Sequence, residues 1–327
     1  MVAYVIRRIL WAAVLVVAMT FVTFVILFKI PNDPARFLVP NQNPTEHQLE
    51  VAREQLGVDD PFFVQYGRFL WRAVHLDLGY SYSAAGLRDT VPVTSELRRA
   101  IPVTLSLLVG GAVIWLSVAI PLGLISAVYA GSLLDRALLF FVLLGISAHP
   151  IVIGLFLRQT LGYKLGLAPV EGYCAPFGHD SCGVPGWAHH MLLPWITLSV
   201  LFAALYSRMI RVHAINELHE GYVRTARAKG SPESRVLARH VLRNSLLPIL
   251  AMLGMDIGLV FGSAVFVEQV FGLAGLGNLA LGASRGLVGF DLPVIAGVIL
   301  VVSLFVVLFN LIVDLTVGVV DPRVRAY

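Results

Sequence analysis

Four sets of residues in this chain have types and spacings that could do chemistry. Residues 282–286 read GASRG and match G-x-S-x-G, the frame that presents a serine nucleophile on a strand-to-helix turn. Cys174 and Cys182 lie among His179, His189 and His190, a group that could form a disulfide or hold zinc. Asp256 and His149 each interrupt a long apolar stretch, where an ionisable group marks a polar path or a proton relay. Residues 224–230 read RTARAKG, a short basic helix former stopped by a glycine, with Glu220 and Tyr222 just before it.

Each set has a plainer reading. A nucleophile elbow needs a strand, a turn, and a histidine and an acid close by. Here Ser284 falls between two apolar spans with no strand pattern, and His149 is the only mid-span histidine. An intramembrane serine protease is therefore kept only as the alternative from another class; chance in a glycine-rich turn suffices. Structural zinc sites pair ligands as C-x₂₋₄-C or H-x₃₋₅-H. The spacing from Cys174 to Cys182 is wider, so a disulfide closing a small loop is the main reading, and no metal site is expected. Asp256 could face a pore or bond to a neighbouring helix, and His149, next to Pro150, could simply pack beside a kink.

The elements that must carry these residues are membrane helices. Of 327 residues, 57% are hydrophobic and 13% charged, whereas soluble domains carry about 25% charged residues. The formal charge of +4 is explained by arginines at membrane flanks and does not call for nucleic acid. Uncharged runs cover 9–28, 100–134, 137–157, 181–207, 244–267 (broken only by Asp256) and 292–313. About 20 apolar residues cross a bilayer core, so six spans are expected. The first is too long for a signal-peptide core of roughly 7–15 residues, and it reads as a retained helix.

Charge sets the orientation. With the N-terminus inside, thirteen Lys and Arg face the cytoplasm. Outside, apart from the loop from Lys29 to Arg99, there are three: Arg158, Lys164 and Arg285. Loops longer than about 60 residues translocate largely regardless of charge, so both termini are expected inside. The 31–99 segment itself reads as a helical cap. Thr45 and Gln48 sit at capping-box positions, Gly57 is a stop, and Asp60-Pro61 restarts a helix bearing Phe62, Phe63, Tyr66, Phe69 and Trp71. The aromatics suit the outer membrane face. The outer loop 159–189 is rich in Gly and Pro.

The cytoplasmic segment 208–245 holds the fourth set. Two helices are expected in it. The first covers about 216–229, with Gly221, Thr225 and Ala228 on one face and Glu220 paired to Arg224 at i,i+4. The second starts at Ser231-Pro232-Glu233 and repeats Arg235, Arg239 and Arg243 every four residues. A small-residue face with a charged rim suits docking to another protein. Uphill transport also needs a motor, yet no lysine here follows a glycine, so a Walker A loop is absent.

This segment resembles the EAA coupling loop of bacterial ABC-importer permeases, E-A-A-x₃-G-x₉-I-x-L-P. Arg224, Thr225 and Ala226 stand at E-A-A, Gly230 at the glycine, His240 at the isoleucine, Leu242 at the leucine and Arg243 at the proline. Ala226, Gly230 and Leu242 match strictly. Further landmarks run in order along the chain: YVIRR at 4–8, PNDPAR at 31–36, LGVDDP at 56–61, LDLGYS at 76–81, PVTSEL at 92–97, IPLG at 120–123, VFGLAGLG at 270–277 and DPRVR at 321–325. Together they are similar to the B-type permease subunit of oligopeptide and dipeptide importers.

The resemblance implies an all-α integral membrane protein of six transmembrane helices with a helical extracytoplasmic insertion between the first two. The expected division is 1–30 (N-terminus and first helix), 31–99 (cap) and 100–327 (permease core with the coupling loop 208–245). It implies a pore shared with a homologous second permease, spans two to six lining it and the first wrapping outside. It also implies two ATP-binding subunits or domains and an extracytoplasmic peptide-binding protein. ATP and Mg²⁺ are then used by the partners and no cofactor by this chain, which is not itself an enzyme. The residues implied for ATPase coupling are Glu220, Tyr222, Arg224, Thr225, Ala226, Arg227, Gly230 and Leu242, with Asp256 and His149 as possible pore-lining groups. Nickel and glutathione permeases share these landmarks and are the alternatives within the family.

Overall fold

The computed structural model describes residues 2–28, 45–56, 60–81, 91–178, 181–284 and 291–320. The expectations for 31–44, Gly57, His179, Arg285 and the C-terminal DPRVR lie outside them. The described chain is helical: α1 (Val2–Phe28), α2 (Glu46–Leu56), α3 (Phe62–Val74), α4 (Val93–Val128), α5 (Leu133–Ser147), α6 (Pro150–Leu157), α7 (Gly183–Leu218), α8 (Gly221–Ala228), α9 (Glu233–Arg235), α10 (Arg243–Val270), α11 (Leu276–Ser284) and α12 (Leu292–Val320). Wider π-helical turns follow α6 at Arg158–Lys164 and α9 at Val236–Leu242. A two-residue ladder pairs β1 (Tyr80–Ser81) with β2 (Val91–Pro92) antiparallel.

Among the described residues, five helices are long and apolar enough to cross a membrane: Tyr4–Ile26, Val93–Val128, Gly183–Leu218, Pro248–Val270 and Leu292–Gly318. The third expected span is different. The chain bends by 101° between Leu133–Ser147 and Pro150–Lys164, so six spans are reached only if this bent pair counts as one. The cause is local. A residue before proline is pushed out of the helical region, and both Ala148 and His149 are extended. His149 then caps α6, its Nδ1 accepting from the Ile151 N–H at 3.3 Å. A residue read as mid-span is thus a helix cap at a corner.

The chain separates into two units. One comprises Val2–Thr104 and Ala274–Leu311. In it, α3 lays its aromatics on α1. Phe62 and Tyr66 meet Phe21 and Phe24 edge-on or tilted, Phe69 meets Phe24, and the Tyr66 hydroxyl donates to the Val17 carbonyl at 3.1 Å. Phe63 and Trp71 stay exposed. At the start of α2, the Thr45 N–H donates to Gln48 Oε1, half of the capping box read from sequence. The first turns of α4 (Val93, Leu97, Ala100) bury against Leu276 and Ala283 of α11 and Val294 and Val298 of α12. Ser81 donates to the buried Asp291 at 2.7 Å, and Asp291 also receives the Val294 N–H at the start of α12.

The other unit comprises Leu105–Leu273 and the chain from Ile312 onward, and α7 is its central helix. At 36 residues it rises ~54 Å, well beyond a ~30 Å hydrocarbon core. It lies close to α4 because α4 presents glycine: a Cβ on Gly110 would stand 2.1 Å from the Trp195 ring. The Trp195 indole donates to the Ser106 carbonyl at 2.8 Å and the Ser199 hydroxyl to that of Gly111 at 3.0 Å. These two buried polar groups thus close on backbone acceptors, as burial favours.

The loop before α7 is more ordered than its composition suggests. The π turn occupies its first residues and α7 begins at Gly183. Arg158 donates to the Val270 carbonyl at 2.7 Å and pairs with Glu171. The Gly172 N–H reaches the Phe271 carbonyl at 3.1 Å.

Candidate functional site

The segment 208–245 folds as a corner on the second unit. α7 runs on to Leu218, so residues 216–218 belong to it and not to a separate docking helix. Glu220 is extended and α8 starts at Gly221. At the other end, the Ser231 N–H bonds the Ala226 carbonyl and the Gly230 N–H bonds that of Arg227. These paired 6→1 and 5→2 bonds make a Schellman stop, which needs a left-handed residue. Gly230 supplies it at φ +74°.

α8 has two faces. Val223 and Ala226 are buried with Ala127 of α4, Ala214 of α7, and Val236 and Val241 of the second π turn. Three alanines in this cluster let the backbones approach closely. Gly221, Tyr222, Arg224, Thr225, Arg227 and Ala228 are exposed. The Thr225 hydroxyl folds back to the Gly221 carbonyl at 3.0 Å. The result is a short helix held from beneath, with small and basic side chains outward.

Two sequence expectations need correction. Glu220 and Arg224 do not form an ion pair among the described residues: Glu220 precedes the first turn, so its side chain is off the helical face. Arg227 pairs instead with Glu233 across the stop, at 2.6 Å, and its guanidinium holds that carboxyl below its ordinary range. Leu242 is half-buried and stands outside the cluster beneath α8, where Val241 and Val236 take the place. A π turn has more residues per turn than an α-helix, so a four-residue arginine repeat does not track one face. Arg235, Arg239 and Arg243 are nonetheless all exposed.

Two polar clasps brace the corner. Tyr222 donates to Glu217 at the end of α7, and Asn244 of α10 donates to the Tyr222 hydroxyl at 2.8 Å. More deeply, Asp135 of α5 is 2% exposed and accepts from Arg211 Nε at 2.8 Å and Nη2 at 2.7 Å. It also accepts from Ser126 of α4 and from the Gly131 N–H. Asp135 and Arg211 read in sequence only as membrane flanks. Their partnership spans 76 residues, and the sole signal was an acid inside an otherwise apolar, basic-flanked turn.

The remaining candidates lie elsewhere. Cys174 and Cys182 are disulfide-bonded, with Cα atoms 6.0 Å apart. His189 bonds the Leu167 carbonyl and His190 that of Gly186, so both rings serve the local backbone. Asp256 lies midway along α10, half-buried, and accepts from the Tyr206 hydroxyl of α7 at 2.9 Å. A charged aspartate at the centre of a bilayer costs about 2.5–3.5 kcal/mol on insertion scales, so one hydrogen bond offsets only part of its burial. The exposed His149 ring packs edge-on to Phe266 at 4.9 Å. Ser284 ends α11 and donates to the Leu281 carbonyl; a helix precedes it where an elbow needs a strand.

The comparisons with known proteins agree with this architecture. Residues 119–326 match the binding-protein-dependent transport system inner membrane component family, and residues 1–108 match the N-terminal model of the same transport systems. A Brucella suis protein named as a candidate peptide permease is 36% identical over 99% of both chains. A Brucella abortus protein named as a candidate peptide transport system permease is 32% identical over 99% of both. The dipeptide transport system permease protein DppB of Escherichia coli K12 is 32% identical, again over 99% of both. With its membrane-length helices, its braced corner at α8 and these matches, the chain belongs to the inner membrane component family of binding-protein-dependent transport systems.

Proposed function

We propose that the chain is the permease subunit of an ATP-driven peptide importer and that α8 is its coupling helix. The observation that carries this is the two-faced build of α8: Val223 and Ala226 anchored in the membrane unit, Arg224, Thr225 and Ala228 presented outward. The names of the relatives supply the peptide. Partner ATPases grip the outward face and carry ATP and Mg²⁺, while this chain binds no cofactor. A homologous second permease completes the pore, towards which Asp256 and His149 turn. Both termini are cytoplasmic. The helical segment between α1 and α4, with the Cys174–Cys182 loop, receives the extracytoplasmic binding protein. ATP binding draws the coupling helices together and opens the pore outward; hydrolysis returns it, since each ligand favours one of the two states.

The test is ATP-driven uptake of a labelled peptide by vesicles holding the whole complex. Arg224→Glu with Thr225→Trp alters only the exposed face of α8. Uptake and peptide-stimulated ATP hydrolysis should both fall at least tenfold while the permease keeps its melting temperature. Normal uptake by the variant would show that α8 is not the coupling element. Nickel uptake by wild type without peptide uptake would move the chain to the nickel branch.

A further inference from the structure

We propose that the Asp256 carboxylate is the counter-charge for the N-terminal ammonium of a peptide in transit. The inference rests on the peptide-importer reading. Asp256 stands in the middle of α10, and only its Oδ2 is engaged, by the Tyr206 hydroxyl at 2.9 Å. Among the described residues Oδ1 accepts no hydrogen bond, and the side chain is half-buried. A carboxylate left this incomplete at membrane depth calls for a cation or for water. Tyr206 is fully buried, its ring 6.3 Å from that of Trp115, so packing holds it in place. It fixes one oxygen and aims the other.

The surroundings define what can approach. Asp256 borders a face of α10 that none of the described residues covers. Met255 is 74% and Leu259 64% exposed, and a Cβ added at Gly258 or Gly262 would meet no atom within 4 Å. Bare backbone beside a single carboxylate admits an extended chain and makes few demands on its side chains. One oxygen beside a phenol is too few donors for a divalent cation, which takes several oxygen ligands. A primary ammonium has three donors and needs only one charged acceptor to fix it. It is also the one cation that peptides of every sequence share. Asp256 would therefore orient a peptide by its leading end without selecting its residues.

The experiment uses the whole complex in vesicles and two lysine-free peptides, one with a free amino terminus and its N-acetylated twin, chosen so that the binding protein holds both equally. Asp256→Asn is isosteric and should lower uptake of the free peptide about tenfold, the scale of one half-buried charge pair. It should leave the acetylated peptide unchanged. Asp256→Glu should restore the preference, and Tyr206→Phe should retain it, because the carboxylate is still there. If Asp256→Asn lowers both peptides alike and Tyr206→Phe does the same, the pair is a structural tie and the proposal is wrong. Equal transport of both peptides by wild type and Asp256→Asn also overturns it. If wild type carries neither peptide, the importer reading itself fails and this inference with it.

Discussion

The α8 corner and the disulfide loop sit at the two ends of α7, and they are held by opposite means. The corner rests on burial: Val223 and Ala226 go under, with the Asp135–Arg211 clasp beside them. The loop is tied at its root by backbone capture, through Arg158 to Val270 and Gly172 to Phe271, and is closed covalently at Cys174–Cys182. Phe177 within it stays 78% exposed. Burial anchors a helix in every direction at once. A closed loop keeps its shape but is braced only at its base. A part that must transmit force suits the first arrangement, and a part that must present a surface suits the second.

This contrast can be broken in graded steps. The largest effect should come from Asp135→Ala, which leaves the half-buried Arg211 without its partner and should destabilise the membrane unit by about 3 kcal/mol, the low end for breaking a buried pair. Thermal unfolding in detergent would show it, and Asp135→Ala with Arg211→Leu should recover part of the loss. If the double variant is as unstable as the single, the clasp is not the brace. Next, Cys174→Ser with Cys182→Ser should cost roughly 2–3 kcal/mol by loop entropy, felt at the loop. Proteolysis should then speed up in the loop and not at α8.

Ala226→Leu overfills the three-alanine contact and should cost about 1–3 kcal/mol. Thr225→Leu, one residue away on the open face, should stay within about 0.5 kcal/mol. Equal losses would mean α8 has no distinct faces. Gly230→Ala places a side chain at positive φ and should cost about 1 kcal/mol. The smallest effect is titration of Glu233. Its folded pKa lies below the ordinary 4.5, so its contribution is complete above that value and is lost as pH falls through the depressed one. The pair is half-exposed, so only about a few tenths of a kcal/mol is at stake. Glu233→Gln should erase that acid-limb slope.

Much of this was legible in the chain, for definite reasons. Membrane spans write themselves as uncharged runs, and RTARAKG announced a helix with its stop because a Schellman turn needs glycine. The bend at His149-Pro150 could be read as a kink, but its 101° depends on Ala148 also leaving the helix. Glu220 misled because i,i+4 spacing was assumed to lie inside a helix that begins one residue later. The Asp135–Arg211 and Tyr222–Asn244 contacts join residues far apart in sequence, and no local pattern foretells them. Nor could Asp256 alone disclose Tyr206 as its donor.

α7 also has a mechanical consequence. An α-helix hardly stretches, so it passes motion on by tilting. Its soft point is Pro194, the one proline in its interior, where a rung of the hydrogen-bond ladder is missing. From there the arm to Gly183 measures ~17 Å and the arm to Leu218 ~36 Å. The helix is thus two stiff arms of unequal length meeting at a joint, and a tilt of the long arm at its α8 end is partly absorbed as bending at Pro194 before it reaches the disulfide end.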